Sequence, residues 1–137
     1  MKKLILTILL LLTFNGTALA LVEVDITRGN LNPLPIAVSP LYIEPGSKEI
    51  EQDGKVIKNI GEEISKVIEV NFRRSGLFNP LEKDSFVQNP DVAHVKPRFE
   101  DWRLIKAQAL VTGKVTVSDG KLRAEFRLWD VIAAKEM

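Results

Sequence analysis

The chain has 137 residues, 19 basic and 18 acidic side chains, a formal charge of +1 and no cysteine. The near balance of charge excludes the basic stripe or strongly basic domain by which nucleic acid is held. A chain without cysteine has no disulfide framework and no thiolate metal site, so core burial must hold it together.

Lys2 and Lys3 precede an apolar run from Leu4 to Leu12, which is followed by Asn15, Gly16 and Thr17 and then by Ala18-Leu19-Ala20. This is the layout of a secretory signal over residues 1–20, with Ala18 and Ala20 as the small residues of the cleavage site. The run is shorter than the roughly 20 apolar residues of a spanning helix, which weighs against a retained anchor. No cysteine stands at the cleavage point to take a lipid. The expectation is an exported, soluble chain that begins at Leu21 and carries 17 basic against 18 acidic residues. Such a length makes one domain, large enough to bury about two thirds of its unfolded surface.

From Leu21 to Thr27 the pattern alternates, with Val22, Val24 and Ile26 on one face and Glu23, Asp25 and Thr27 on the other, which predicts a half-exposed strand. Arg28, Gly29, Asn30, Leu31, Asn32 and Pro33 form a loop, and Leu34 to Leu41, bracketed by Pro35 and Pro40, predicts a buried strand. Glu44 to Asn59 is charged, with turns at Pro45-Gly46 and Asp53-Gly54, and reads as an exposed excursion. Asn59 and Glu62 resemble a capping box ahead of an amphipathic helix with Ile60, Ile64, Val67, Ile68 and Phe72 on its apolar face and Gly76 as its stop. Leu77 to Pro80 predicts a short extended piece, Phe86-Val87 another, and Asn89-Pro90 the start of a loop. After Pro97, Arg98 to Lys106 predicts a second helix with Phe99, Trp102 and Ile105 packed inward. Ala109 to Val117 and Lys121 to Val131 predict a hairpin closed by Asp119-Gly120, the dipeptide of turns whose central residues both need positive φ. In its second strand Leu122, Ala124, Phe126 and Leu128 would face the core, and its outer edge would lack a partner.

None of the constellations that carry chemistry is present, so an enzyme is not expected. His94 is the single histidine, in a polar stretch beside Asp91, and reads as a solvated loop residue. Gly61 and Gly113 are isolated, so no phosphate-cradling loop exists. Glu62-Glu63 and Arg73-Arg74 suit the two ends of the helix dipole. Lys48, Glu49, Glu51, Asp53 and Lys55 form a mixed-sign solvated run, and Glu82-Lys83-Asp84 an ordinary charged loop. No metal and no cofactor is implied. The terminal strand is more informative: its main chain and alternating side chains suit strand addition to a sheet edge, its own or another protein's, with Gly29, Asn30 and Asn32 as a hinge.

Four blocks in order carry a resemblance: Pro35-Ile36-Ala37-Val38-Ser39-Pro40, Arg74-Ser75-Gly76-Leu77-Phe78-Asn79-Pro80-Leu81, Trp102 with Ala109-Leu110-Val111-Thr112-Gly113-Lys114-Val115, and Phe126-Arg127-Leu128-Trp129-Asp130-Val131. Together they resemble the N-terminal domain of the TolB family of the periplasmic Tol–Pal system. The resemblance implies an α/β fold, a mixed β-sheet with two amphipathic helices, similar to the anticodon-binding domain of class II aminoacyl-tRNA synthetases. It implies that residues 33–137 are that α/β domain, incomplete at its C-terminus without the last strand and helix, in a chain without the family's β-propeller. It also implies that residues 21–32, namely Leu21, Val22, Glu23, Val24, Asp25, Ile26, Thr27, Arg28, Gly29, Asn30, Leu31 and Asn32, are the box that binds the C-terminal domain of TolA. Pal is the other partner implied, bound in the family mainly by the propeller. Lys106 departs from the family, which usually carries Gly there, and this bears on the tightness of the turn into the next strand. A non-enzymatic periplasmic interaction module supporting outer-membrane integrity and invagination at division is the function implied. The alternative reading is a small exported α/β domain that binds a soluble ligand or assists an enzyme, its terminal strand purely structural.

Overall fold

The computed structural model describes residues 32–47, 50–52 and 54–137. The signal segment with Ala18 and Ala20, and Leu21 to Leu31 of the terminal strand and hinge, lie outside the described residues, as do Lys48, Glu49 and Asp53. Asn32 is exposed and leads through Pro33 into the first strand.

In chain order the elements are β1 (Leu34–Val38), β2 (Tyr42–Ile43), β3 (Ile50–Gln52), β4 (Lys55–Ile57), α1 (Ile60–Ser75), β5 (Phe78–Pro80), a 3₁₀ turn (Lys83–Ser85), α2 (Pro90–Ala93), α3 (Phe99–Leu104), β6 (Ala109–Ser118), β7 (Lys121–Asp130) and β8 (Lys135–Glu136). They build a six-stranded mixed sheet in the order β5-β1-β6-β7-β8, with β2 also pairing β6, and a separate hairpin of β3 with β4. The pairs β1–β5, β1–β6 and β2–β6 are parallel, and β6–β7 and β7–β8 antiparallel. Parallel neighbours need a crossover, and the crossovers here put α1 on one face of the sheet and α2 and α3 on the other.

The buried strand expected over Leu34 to Leu41 ends at Val38, because Pro40 interrupts the ladder, and the chain resumes against β6 as β2. At the break the Ser39 N–H donates to Val111 O at 3.0 Å and the Leu41 N–H to Gly61 O at 3.1 Å. Alternation then divides the core. Ile36, Val38, Ala109 and Val111 pack under Ile68 and Phe72 of α1, with Leu41, Val115 and Val117 farther along that face under Ile60 and Ile64. Ala37, Leu110 and Val131 meet Trp102, Ala93 and Ala107 on the other face.

Helix α1 starts and stops where its sequence indicates, but not as a capping box. Asn59 makes no side-chain cap; its carbonyl accepts from the N–H groups of Glu62 and Glu63, both at 3.0 Å. Gly76 closes the helix in the left-handed region at φ 70°. Val67, expected on the inner face, is 61% exposed, and its place is taken by buried Ser65. Ser65 Oγ donates to Glu62 O at 2.8 Å and accepts from Lys83 Nζ at 3.1 Å. Lys83 also pairs with Glu69 at 3.3 Å, so the supposed ordinary loop pins the 3₁₀ turn to α1.

Other expectations change in detail. The charged excursion contains the β3–β4 hairpin, Phe86 follows the 3₁₀ turn without forming a strand, and Asn89-Pro90 opens the short helix α2. Asp119 and Gly120 take the positive φ values that the hairpin turn requires, 51° and 69°. The outer edge of β7 is not wholly bare: β8 pairs with Trp129 and Asp130. The face of β7 expected to be buried is half exposed, with Leu122 at 43%, Phe126 at 50% and Leu128 at 39%. The reason is reach, since α1 packs over β1, β5 and β6 and leaves these side chains at the rim.

Candidate functional site

Of the twelve residues expected to bind a partner strand, Asn32 is the one within the described residues, at the entrance to β1. Besides shallow recesses along α1, one of them against β4, the described residues form a polar recess on β6 and β7.

On the α2–α3 side the sheet carries a polar surface. Tyr42 lies opposite Lys114, and Glu125 lies opposite Lys114 on β7. Glu44 Oε2 accepts from Thr116 Oγ1 at 2.7 Å, and Lys114 Nζ lies 3.7 Å from Glu44 and 3.2 Å from Glu125. Arg123 pairs with Glu125 at 3.2 Å. The Thr116 hydroxyl, with the Lys114 charge behind it, lowers the Glu44 carboxyl below the usual glutamate value. His94 is not a solvated loop residue. Its ring stacks on Tyr42 with centroids 4.4 Å apart and planes 9° from parallel, and its Nδ1 lies 3.0 Å from Pro90 O. Arg127 reaches across to donate to His94 O at 3.3 Å. Between these groups lies an open recess of about 460 Å³ bounded by His94, Val95, Gly113, Lys114, Glu125 and Arg127 among others. Lys114 and Glu125 at its wall pair with each other, while Arg127 bonds a main-chain carbonyl and Glu136 lines the rim, and among its described lining residues there is no nucleophile beside a base. Among the described residues no three His, Asp or Glu side chains converge to hold a metal.

Two glycine positions, one in β6 and one in α1, depend on close approach. A Cβ on Gly113 would collide with Glu125 O, and one on Gly61 with Leu41 O. The isolated glycines therefore serve packing: one lets β7 cross tightly over β6, the other brings α1 against the β1–β2 break. Gln88, which the sequence does not single out, is buried, and its Oε1 accepts from Trp102 Nε1 at 3.0 Å and from the Arg98 N–H at 2.9 Å.

The family model of the TolB amino-terminal domain matches residues 22–137. The chain belongs to the TolB amino-terminal domain family. A TolB relative from Pelagibacter ubique (strain HTCC1062), the Tol-Pal system protein TolB, is 69% identical over 122 residues, which is 88% of this chain and 27% of the relative. The chain thus spans about a quarter of the length of that curated TolB. The crystal structure of TolB from Acinetobacter baumannii covers 76% of this chain, which in turn covers 21% of it, with a TM-score of 0.54 at 17% identity. At that identity the likeness speaks for the fold: a mixed α/β sheet of the TolB amino-terminal kind. The family match begins at Val22, so it includes nearly all of the segment expected to bind a partner.

Proposed function

We propose that this chain is a periplasmic, non-enzymatic interaction module of the Tol–Pal system, exported by residues 1–20 and binding the C-terminal domain of TolA through Leu21 to Asn32. The observation that carries the reading is 69% identity to a Tol-Pal system protein across 88% of the chain. The alternation of Val22, Val24 and Ile26 with Glu23 and Asp25 supports the mode of binding. Strand addition draws affinity from main-chain hydrogen bonds and selectivity from side chains on alternate faces, with the acids choosing between partners by charge. Residues 33–137 are the domain that presents this segment.

The test is a titration of the exported chain into a labelled TolA C-terminal domain, with a version beginning at Pro33 as the control. Saturable binding that disappears in the control is the expected result. Equal binding by both versions, or no binding by a folded sample, overturns the assignment of the segment.

A further inference from the structure

We propose that the end of the sheet at which Asn32 enters is a second contact for the partner that takes the terminal strand, and that it fits an acidic surface with an apolar centre beside that partner's sheet edge. The proposal rests on the reading that Leu21 to Asn32 binds by strand addition. A row of main-chain hydrogen bonds defines this end. The Leu34 N–H donates to Leu77 O at 2.9 Å, the Gln108 N–H to Pro35 O at 2.9 Å and the Val131 N–H to Gln108 O at 3.0 Å. The beginnings of β5, β1 and β6 and the end of β7 therefore lie side by side. Arg103 ties the tip of α3 to the same place, its Nε donating to Val131 O at 3.0 Å and its Nη2 to Ile132 O at 3.2 Å.

Three large apolar side chains stand out from this end: Leu104 is 79%, Ile132 65% and Leu77 54% exposed, and Leu104 is the most exposed large apolar residue among those described. Basic groups surround them. The segments 73–77, 103–108 and 130–135 carry Arg73, Arg74, Arg103, Lys106 and Lys135 against one acid, Asp130. That acid is engaged locally, its Oδ1 accepting from the Ala133 N–H at 2.8 Å. An apolar centre with a basic rim matches a surface of opposite charge around an apolar patch. The tether then names the occupant. Thr27 and Pro33 are six residues apart, which at full extension is about 20 Å. The row is three strand spacings wide, about 14 Å. A folded domain of roughly 100 residues has a radius of gyration of about 13 Å, so a partner that holds the strand as far as Thr27 brings its body within touching distance of Leu104 and Ile132. On so short a tether the effective concentration is on the order of millimolar, and a contact too weak to join two free molecules can tighten binding about tenfold.

The test is a titration of a labelled TolA C-terminal domain with the exported chain, with its variants, and with a peptide of residues 21–32. The chain is expected to bind about tenfold more tightly than the peptide. Leu104→Glu puts an acid into the apolar centre and should remove most of that margin. Lys106→Asn removes a charge with a residue that tolerates the left-handed backbone of this position, and should remove part of it. Added salt should narrow the margin, since it screens exposed charges. Val67→Glu, at a 61% exposed apolar position in the middle of α1, should leave the margin unchanged. Equal affinity of chain and peptide, weaker binding by the chain, a margin indifferent to Leu104→Glu, or an equal loss in Val67→Glu overturns the second contact while the strand assignment stands. Binding by neither chain nor peptide overturns both. Circular dichroism confirms that each variant is folded.

Discussion

At the level of single residues, the α2–α3 face depends on one amide. Gln88 Oε1 satisfies two donors at once, the indole N–H of fully buried Trp102 and the main-chain N–H of Arg98. Gln88→Leu keeps the volume and orphans both, and a buried donor left without a partner costs about 1–3 kcal/mol. The expected loss is about 2–3 kcal/mol in urea unfolding, with a red shift in tryptophan emission at low denaturant. Glu44 poses a question of charge. Its carboxyl is held low first by the Thr116 hydroxyl and then by Lys114. A depressed folded value means that the carboxylate's contribution is complete above the ordinary glutamate value and disappears as pH falls through the lowered one. Thr116→Val should move the Glu44 midpoint in an NMR titration up toward the ordinary range. A midpoint unmoved by the substitution would assign the shift to Lys114 instead.

Elements were legible where one local rule decides them. The 3.6-residue spacing of Ile60, Ile64, Ile68 and Phe72 with Gly76 behind it predicts α1 to its last residue, and Asp119-Gly120 places the β6–β7 turn. Illegible features are those set by what lies across the gap. Ser65 is buried because Lys83, distant in sequence, supplies its hydrogen bond, and half of the apolar face of β7 stays wet because α1 ends its reach at β6. His94 gains a partner in Tyr42 only when β2 pairs with β6. The segment proposed to bind a partner reads as alternation in the sequence, and that proposal rests on the family likeness. The turn from α3 into β6 lies between these cases. Lys106 stands where a glycine was expected and nevertheless adopts φ 64°, its N–H donating to Arg103 O at 2.9 Å. The tight turn is thus kept, at the cost of a left-handed residue with a side chain, which is about 1 kcal/mol. Lys106→Gly should raise stability by about 0.5–1 kcal/mol, the gain reduced by the entropy of the freer unfolded chain. An unchanged or lower melting temperature would mean that the Lys106 side chain contributes more than its backbone costs.

At the scale of the whole molecule the two faces of the sheet share their strands, and this dictates how the protein comes apart. Both tryptophans, Trp102 and Trp129, belong to the α2–α3 face, while α1 packs on the other. No strand of the centre belongs to one face alone: Ile36 and Val38 of β1 point to α1 while Ala37 between them points to Trp102, and Val111 and Leu110 of β6 divide likewise. Losing either layer exposes the strands that hold the other, so the domain should unfold in one transition, with tryptophan fluorescence and helical circular dichroism coincident. Ile68→Ala makes the test sharp, because Ile68 touches only the α1 clusters. Truncating this half-buried side chain should cost about 2 kcal/mol and lower the melting temperature by roughly 10 °C. The full drop should appear in the fluorescence of tryptophans on the opposite face. Fluorescence that keeps its original midpoint while the helical signal melts early would show that the layers unfold separately, and α1 would then be an appendage to a smaller core built on β6, β7 and Trp102.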